Sequence, residues 1–431
     1  MNQRVNAQDQ SLRRRAERVV PSGMWGHLHA AKLPDGYPQF FARGEGAYLW
    51  DVDGHRYLDL MCSWGPNLLG HQNPEVEEAA ERQRRQGDCL NGPAPAMVEL
   101  AELLVDMLPH AQWATFQKNG TDATTACATI ARAATGRRKL LVARGAYHGA
   151  VPWCSPSLLG VTTEDRAHLL HYDYNDPESL AEAVALAGDD LAGIIASAFR
   201  HDLGRDQELP QPGFAHAARA ACDRAGAALI LDEVRAGFRL DSRGSWERLG
   251  VRPDLAAWSK AIANGYPLAA VTGAEWLRDA AGRVFTTGSF WCGAVPMAAA
   301  VATLRIIRRD DVPGRVARLG QMLRDLLAEG AARHGLGLRQ TGPAQMPMVL
   351  FDDDPGARKG DVFCNAALTH GVYFHPRHNM FLSAAHTEAD MRIAAAAAEH
   401  GFAAVAALPV ATPAAAAPAA AAPVLAPSLA R

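Results

Sequence analysis

Two side chains 28 positions apart carry the clearest chemistry in this sequence, a lysine and a carboxylate. Lys260 follows the short apolar run Leu255-Ala256-Ala257-Trp258 and precedes the turn residues Asn264-Gly265-Tyr266-Pro267. A lysine at the end of a buried strand loses hydration. Its pKa falls, and the neutral amine becomes a nucleophile for a carbonyl carbon. Only five of the 43 basic residues are lysine (Lys32, Lys118, Lys139, Lys260 and Lys359), so arginine serves almost wherever a generic positive charge will do. A solvated lysine at a strand end is the plainer alternative. The carboxylate, Asp232, closes the run Ala228-Leu229-Ile230-Leu231-Asp232. In open α/β sheets the carboxyl ends of the strands line the ligand crevice. A buried acid there is costly unless a cation pairs with it. A helix cap, or an ion pair with Arg235 or Arg239, would explain the same residue.

Two further segments could bind a ligand. Asn119-Gly120-Thr121-Asp122 lies between a strand at Thr115-Phe116 and a small-residue helix. Glycine lets backbone approach an anion, and the free N–H groups of a helix start together with the Thr121 hydroxyl can hold phosphate. An ordinary helix cap at Thr121 or Asp122 fits as well. Tyr147-His148-Gly149 follows the strand Lys139-Leu140-Leu141-Val142. An aromatic ring there can stack on a planar heterocycle, or simply belong to the core.

The elements that must position these residues follow from the apolar pattern. Short apolar runs at Ala114–Phe116, Lys139–Val142, Gly193–Ala196, Ala228–Asp232 and Leu255–Trp258 alternate with helical stretches. That pattern predicts an α/β fold with a mostly parallel sheet covered on both faces. Before it, Ala47–Val52 and Arg56–Leu60 flank Asp53-Gly54 and read as a small β-meander. A long helix is predicted over 294–309, continuing into 314–335, with further strands at Met348–Phe351 and Val372–Phe374. The polar first twenty residues read as a mobile arm or a helix at a subunit surface. The Ala/Pro repeats from residue 408 on are too poor in packing groups to offset chain entropy and are predicted disordered.

Composition excludes several classes. The net charge is −3, which gives no basic surface for nucleic acid. No long charge-free apolar run suggests a membrane span, and no apolar segment follows the arginines at 13–15 to make a secretory signal. The seven scattered cysteines include no C-x-x-C pair, which favours a reducing, cytoplasmic compartment. A metal hydrolase built on His27 and His29, or on His168 and His171, lacks partner ligands at metal-binding spacing.

Taken in order, these elements resemble the class III (fold type I) pyridoxal 5'-phosphate (PLP) aminotransferases, especially their glutamate-1-semialdehyde aminomutase branch. The resemblance runs from about Gly46 to Asp390. It is carried by Gly46–Gly54, Ser63-Trp64-Gly65-Pro66, Leu69-Gly70-His71, Tyr147-His148-Gly149, Asp232-Glu233-Val234-Arg235-Ala236-Gly237-Phe238-Arg239 and Ser259-Lys260. It implies a large domain with a seven-stranded type of sheet (71–307) and a small α+β domain drawn from both chain ends (1–70 and 308–407). It further implies that Lys260 holds PLP as a Schiff base and that Asp232 pairs with the pyridine nitrogen, keeping the ring an electron sink. Val234 and Tyr147 would flank the ring, His148 would join the cofactor site, and Gly120 and Thr121 would hold the phosphate. Ser289, or Thr287 if the loop is shifted, would complete the phosphate cup of a neighbouring subunit, which implies a homodimer with shared active sites.

The substrate side departs from the family pattern. Ser197-Ala198-Phe199-Arg200-His201-Asp202 stands where Glu-Pro is usual, Phe290-Trp291-Cys292-Gly293-Ala294 replaces an Asn-Pro loop, and the segment 371–379 looks short. Trp64, Phe290 and Trp291 could form an aromatic substrate wall, or pack at an interface. Arg200, Arg239 and Arg377 are candidates to receive a substrate carboxylate through a bidentate fork. An aminotransferase using an amine or amino acid and a keto acid or aldehyde is preferred. An intramolecular aminomutase is the alternative, and a non-catalytic protein of the same fold is a remote one.

Overall fold

The computed structural model describes residues 6–34 and 36–409, so all but the first two residues of the Ala/Pro tail lie outside the described part. The expected meander forms from β1 (Phe41–Glu45), β2 (Tyr48–Asp51) and β3 (Arg56–Asp59), paired antiparallel in sequence order. Gly54 takes a positive φ of 88° at its turn. One oxygen of the Asp51 carboxylate accepts the N–H groups of Asp53 and His55 at 3.0 and 2.8 Å, which closes that turn. β3 also pairs in parallel with the late strand Val372–Tyr373, so the two ends of the chain share one sheet. The polar start of the chain is a helix, Ala7–Glu17, docked on its own chain rather than a mobile arm. Its buried Asp9 accepts the N–H groups of Gln39 and Phe40, both at 2.9 Å.

The main sheet has seven strands: β4 (Trp113–Gln117), β5 (Lys139–Ala143), β6 (Leu169–Tyr172), β7 (Leu191–Ser197), β8 (Ala228–Asp232), β9 (Leu255–Trp258) and β10 (Ala269–Gly273), in the order β4-β10-β9-β8-β7-β5-β6. β9, β8, β7, β5 and β6 run parallel, and β10 runs antiparallel to both its neighbours. Every residue of β7, β8, β9 and β10 is buried, the signature of strands covered on both faces. Side chains alternate across β8. Ala228 and Ile230 join the cluster with Ala123, Cys127 and Ile130 of the helix Gly120–Thr135. Leu229 and Leu231 join Phe214, Ala218 and Cys222 of the helix Pro212–Ala225 on the other face. With a period of two, Asp232 falls on the same face as Ile230, beside the helix that starts at Gly120. Truncating Ile230, fully buried, to alanine would cost about 2–5 kcal/mol through the cavity it leaves.

Three expectations need correction. The long helix from 294 is two helices, Ala294–Arg309 and Val312–Arg333. Asp311 breaks it with a φ of 43°, its side chain accepts the N–H of Gly314, and Pro313 sits in the first turn, where its missing N–H costs nothing. Of the run Met348–Phe351 only Leu350–Phe351 is strand, paired with Leu338–Arg339. The strand predicted at Val372–Phe374 stops at Tyr373.

Candidate active site

The tip of β8 presents Asp232, 8% exposed, to one side of the sheet. One carboxylate oxygen lies 2.7 Å from Nδ1 of His148, and the other accepts the N–H of Val234 at 3.0 Å. The His148 carbonyl in turn accepts the Thr124 hydroxyl, tying this pair to the helix Gly120–Thr135. Asp232 is thus fixed by an imidazole and by backbone rather than by an ion pair with Arg235 or Arg239. Nε2 of His148 is buried without a partner among the described residues.

The helix facing this carboxylate is capped by Asn119, whose side chain accepts the N–H of Asp122 at 3.1 Å. The cap is therefore Asn119, not Thr121 or Asp122. The first N–H groups of the helix, at Gly120 and Thr121, have no intrahelical acceptor and are available to an anion. Close packing keeps backbone at this spot. A Cβ on Gly120 would lie 2.6 Å from Cγ1 of Val234, and a Cβ on Gly149, at φ 136°, would lie 2.6 Å from Oγ1 of Thr121. Gly120, Thr121, His148, Gly149, Asp232 and Val234 therefore converge.

Lys260 sits just past β9, half-buried, on backbone with a positive φ of 48°. That conformation is strained for a residue with a side chain, by about 1–3 kcal/mol, and persists only where its surroundings hold it. Here Asn264 accepts the N–H of Leu69 and donates to the Gly70 carbonyl, at 2.7 and 2.9 Å, and Ser259 donates to Leu268. Burial, followed by the charge of Arg235, pulls the Lys260 pKa down to about 8, against the opposing pull of Asp232. A usable fraction of this amine is neutral near physiological pH, as a nucleophile requires.

Tyr147, next in sequence to His148, is 44% exposed. Trp64 lies on a left-handed turn with Cys62 and Ser63. Its ring meets His27, His378 and His375 edge-on at 4.5, 4.9 and 5.3 Å. No ring contact joins it to Phe290 or Trp291 among the described residues, so the three do not form one wall within this chain. Thr287 and Ser289 are exposed in the loop before the helix Ala294–Arg309, and no hydrogen bond links them to Gly120 or Thr121 of the same chain among the described residues.

The three candidate arginines are occupied elsewhere. Arg200 pairs with Asp202 and Glu208 at 2.9 and 2.6 Å. Arg239 is fully buried and donates to the carbonyls of Gly65 and Leu382. Arg377 pairs with Asp361 at 2.5 Å in a cleft of about 520 Å³ shared with Lys32 and Arg358. Sequence reading missed the surroundings of Lys260, namely Arg235, His27 and His201, together with His378, which feels the charge of Arg235. Burial depresses the pKa of all three imidazoles, and the charge of Arg235 adds to the effect on each. Only Arg235 had a local signal, two residues past the strand-end acids. The histidines arrive from distant segments.

Fold and site together define a PLP enzyme. The chain belongs to the class III aminotransferases: residues 31–396 match the family described as "Aminotransferase class-III". It is an aminotransferase whose cofactor is PLP. It is 51% identical over 394 residues to the aminopentol aminotransferase of Sphingopyxis macrogoltabida, covering 91% of this chain and 93% of that protein. It is 34% identical to a glutamate-1-semialdehyde 2,1-aminomutase of Roseiflexus castenholzii, over 90% of this chain and 95% of that one. Among solved structures, the PLP internal aldimine form of Sphingopyxis sp. MTA144 FumI protein superposes with a TM-score of 0.91 at 50% identity, covering 92% of this chain and 96% of that one.

Proposed function

We propose that Lys260 is the amine that captures the PLP aldehyde, and that this aminotransferase moves an amino group from a primary amine to a keto acid. One observation carries the reading: a half-buried lysine on strained backbone, its pKa lowered to about 8, shares its surroundings with the buried carboxylate of Asp232. The residues fit the cofactor. Gly120 and Thr121 would offer N–H groups and a hydroxyl to its phosphate, Val234 and Tyr147 would flank the planar ring, and Asp232 would offer a carboxylate to the pyridine nitrogen. When bound, PLP supplies an aldehyde for amines and a ring that withdraws electrons from the carbon losing its proton.

Everything else is work for the chain. Lys260 supplies a neutral amine and, once displaced by substrate, a base at substrate Cα. His148 fixes the orientation of Asp232 through the 2.7 Å contact. Glycine at 120 lets backbone pack directly on Val234, and glycine at 149 lets it pack directly on Thr121.

The same reading makes the enzyme a homodimer. Thr287 or Ser289 would reach the partner's phosphate site, supported by the exposure of Phe285 and Phe290, 92% and 62%, in the loop that carries them. It places 71–307 in a large domain and gathers 1–70 and 308–407 into a small one, supported by the shared sheet of β3 and Val372–Tyr373. A cytoplasmic location is supported by seven free cysteines. An amine resembling an aminopentol is the donor class, by analogy with the 51% identical relative. Among the described residues no helix is long and apolar enough to cross a membrane.

A donor and acceptor screen following the cofactor's absorbance tests the proposal. Bleaching by an amine donor and recovery with a keto acid, both abolished by Lys260→Ala, is the expected result. A Lys260→Ala enzyme with unchanged turnover contradicts it. Release of a free carbonyl product separates transfer between molecules from an intramolecular mutase.

A further inference from the structure

A keto-acid acceptor brings a carboxylate into the site, and a carboxylate taken out of water needs a cation. The arginines at 200, 239 and 377 are committed to carboxylates or carbonyls of their own chain. Arg235 is not. Its Nη1 donates to the neutral Oδ1 of Asn379 at 2.6 Å, and among the described residues no carboxylate pairs with it directly; Asp232 and Asp202 act on it only through their charges. A guanidinium carries five N–H donors in a flat fork, so most of its capacity is unspent.

Its position is set from two sides. Along the chain it lies three residues past Asp232, the last residue of β8, and directly after Val234, which abuts the helix start at Gly120. Across the chain, Asn379 lies two residues before Phe381. A Cβ built on Gly65 would come within 2.9 Å of the Phe381 ring and 3.3 Å of Cδ of Lys260, so Phe381 and the lysine stem converge on Gly65. The bond between Arg235 and Asn379 is thus anchored in the same wall as Lys260. The neighbouring imidazoles of His27, His201 and His378 are held toward their neutral forms, and Arg239, which lies over the Phe381 ring, is spent on the Gly65 and Leu382 carbonyls, which leaves Arg235 as the uncommitted arginine of this wall.

Resting on the aminotransferase reading, we propose that Arg235 receives the carboxylate of the keto-acid acceptor and so sets the preference for keto acids over uncharged carbonyl compounds. Asn379 holds the guanidinium in place without neutralising it.

The test compares the PLP-loaded enzyme with its Arg235→Gln and Arg235→Lys variants, after each has been converted to the aminated cofactor with 2-aminobutane. Recovery of the original absorbance is then followed with pyruvate and with butanal. The ratio of kcat/KM for pyruvate over butanal is expected to fall about 10- to 100-fold in Arg235→Gln, mostly through KM, and to be partly restored in Arg235→Lys, since a charge-assisted hydrogen bond is stronger than a neutral one. Calorimetric titration with propanoate, a carboxylate that does not react, should show binding to the parent enzyme and its loss in Arg235→Gln. An unchanged ratio, or pyruvate and butanal falling together, overturns the proposal while the aminotransferase reading stands. Weakened PLP affinity with the ratio preserved assigns Arg235 to the cofactor phosphate and overturns it too. A parent enzyme whose absorbance ignores 2-aminobutane and every other amine fails the aminotransferase reading first, and the proposal with it.

Discussion

Nδ1 of His148 lies 2.7 Å from one oxygen of Asp232, and the opposite oxygen of that carboxylate accepts the backbone N–H of Val234 at 3.0 Å. The carboxylate is therefore held at both oxygens by groups 84 and two positions away in sequence.

Replacing Asp232 with Asn keeps the shape and removes the charge. PLP should still bind, while turnover falls by about 10²–10⁴-fold, the usual size of a lost electrostatic contribution at the reacting ring. Replacing His148 with Phe leaves Asp232 in place but free to turn, and should cost less, about 10- to 100-fold. Steady-state rates on both variants, with bound PLP quantified by absorbance, check the order. Equal losses would show that His148 does more than orient the acid.

Gly120→Ala and Gly149→Ala should weaken cofactor binding tenfold or more. Each Cβ would arrive 2.6 Å from a side-chain atom, Cγ1 of Val234 or Oγ1 of Thr121, and at Gly149 the positive φ of 136° adds backbone strain. Equilibrium titration of apoenzyme with PLP measures the effect. Gly226→Ala, at a helix C-cap with nothing within 4 Å, serves as a control for backbone strain alone, since its φ is 58°.

Glu233 should make stability depend on pH. Burial raises its pKa from 4.5 to about 7, against the pull of the Ser245 N–H and hydroxyl that bond it at 2.6 and 2.5 Å. The native chain then binds this proton more tightly than the unfolded chain. Its contribution is most favourable below the ordinary carboxyl range and is lost as pH rises toward 7, by ~3 kcal/mol across the full interval. Gln keeps both partners of Ser245 and removes the titration. Thermal unfolding of PLP-loaded Glu233→Gln should gain on the parent between pH 5.5 and pH 8. A constant difference across that interval would assign the slope to other groups.

Much of this site was legible because strand ends are legible. β8 and β9 are short, fully apolar and each tipped by a polar residue, and a parallel sheet brings such tips to one edge. β10 escaped because Ala269-Ala270-Val271-Thr272-Gly273 has weak strand propensity of its own. Pairing to β4 and β9 on both sides makes it a strand, and only glycine fits at 273 because the Trp113 ring lies where a Cβ would be. β6 escaped as a half-exposed edge strand. The break at Asp311 was written in the Asp-Val-Pro that caps the second helix. The commitments of the arginines were not readable at all. Arg377 and Asp361 are 16 residues apart, while Arg235 and Asn379 are 144 apart. Only folding decides which guanidinium is neutralised and which is left to a ligand.

The lowered pKa of Lys260 has its own consequence. The rate at which apoenzyme captures PLP should rise with pH through a midpoint near 8, not near 10.5, because the neutral amine is the reactive form. Arg235→Gln removes a neighbouring positive charge, so the midpoint should move upward. A midpoint unchanged in that variant would show that burial and the charge of Arg239 lower it without Arg235.

The most direct measurement is chemical trapping. Borohydride reduction of the PLP-loaded enzyme, followed by proteolysis and mass spectrometry, should place the cofactor's mass on the peptide containing Lys260 and on no other. Label on the peptides of Lys32, Lys118, Lys139 or Lys359, or on none, would contradict the assignment on which this account rests.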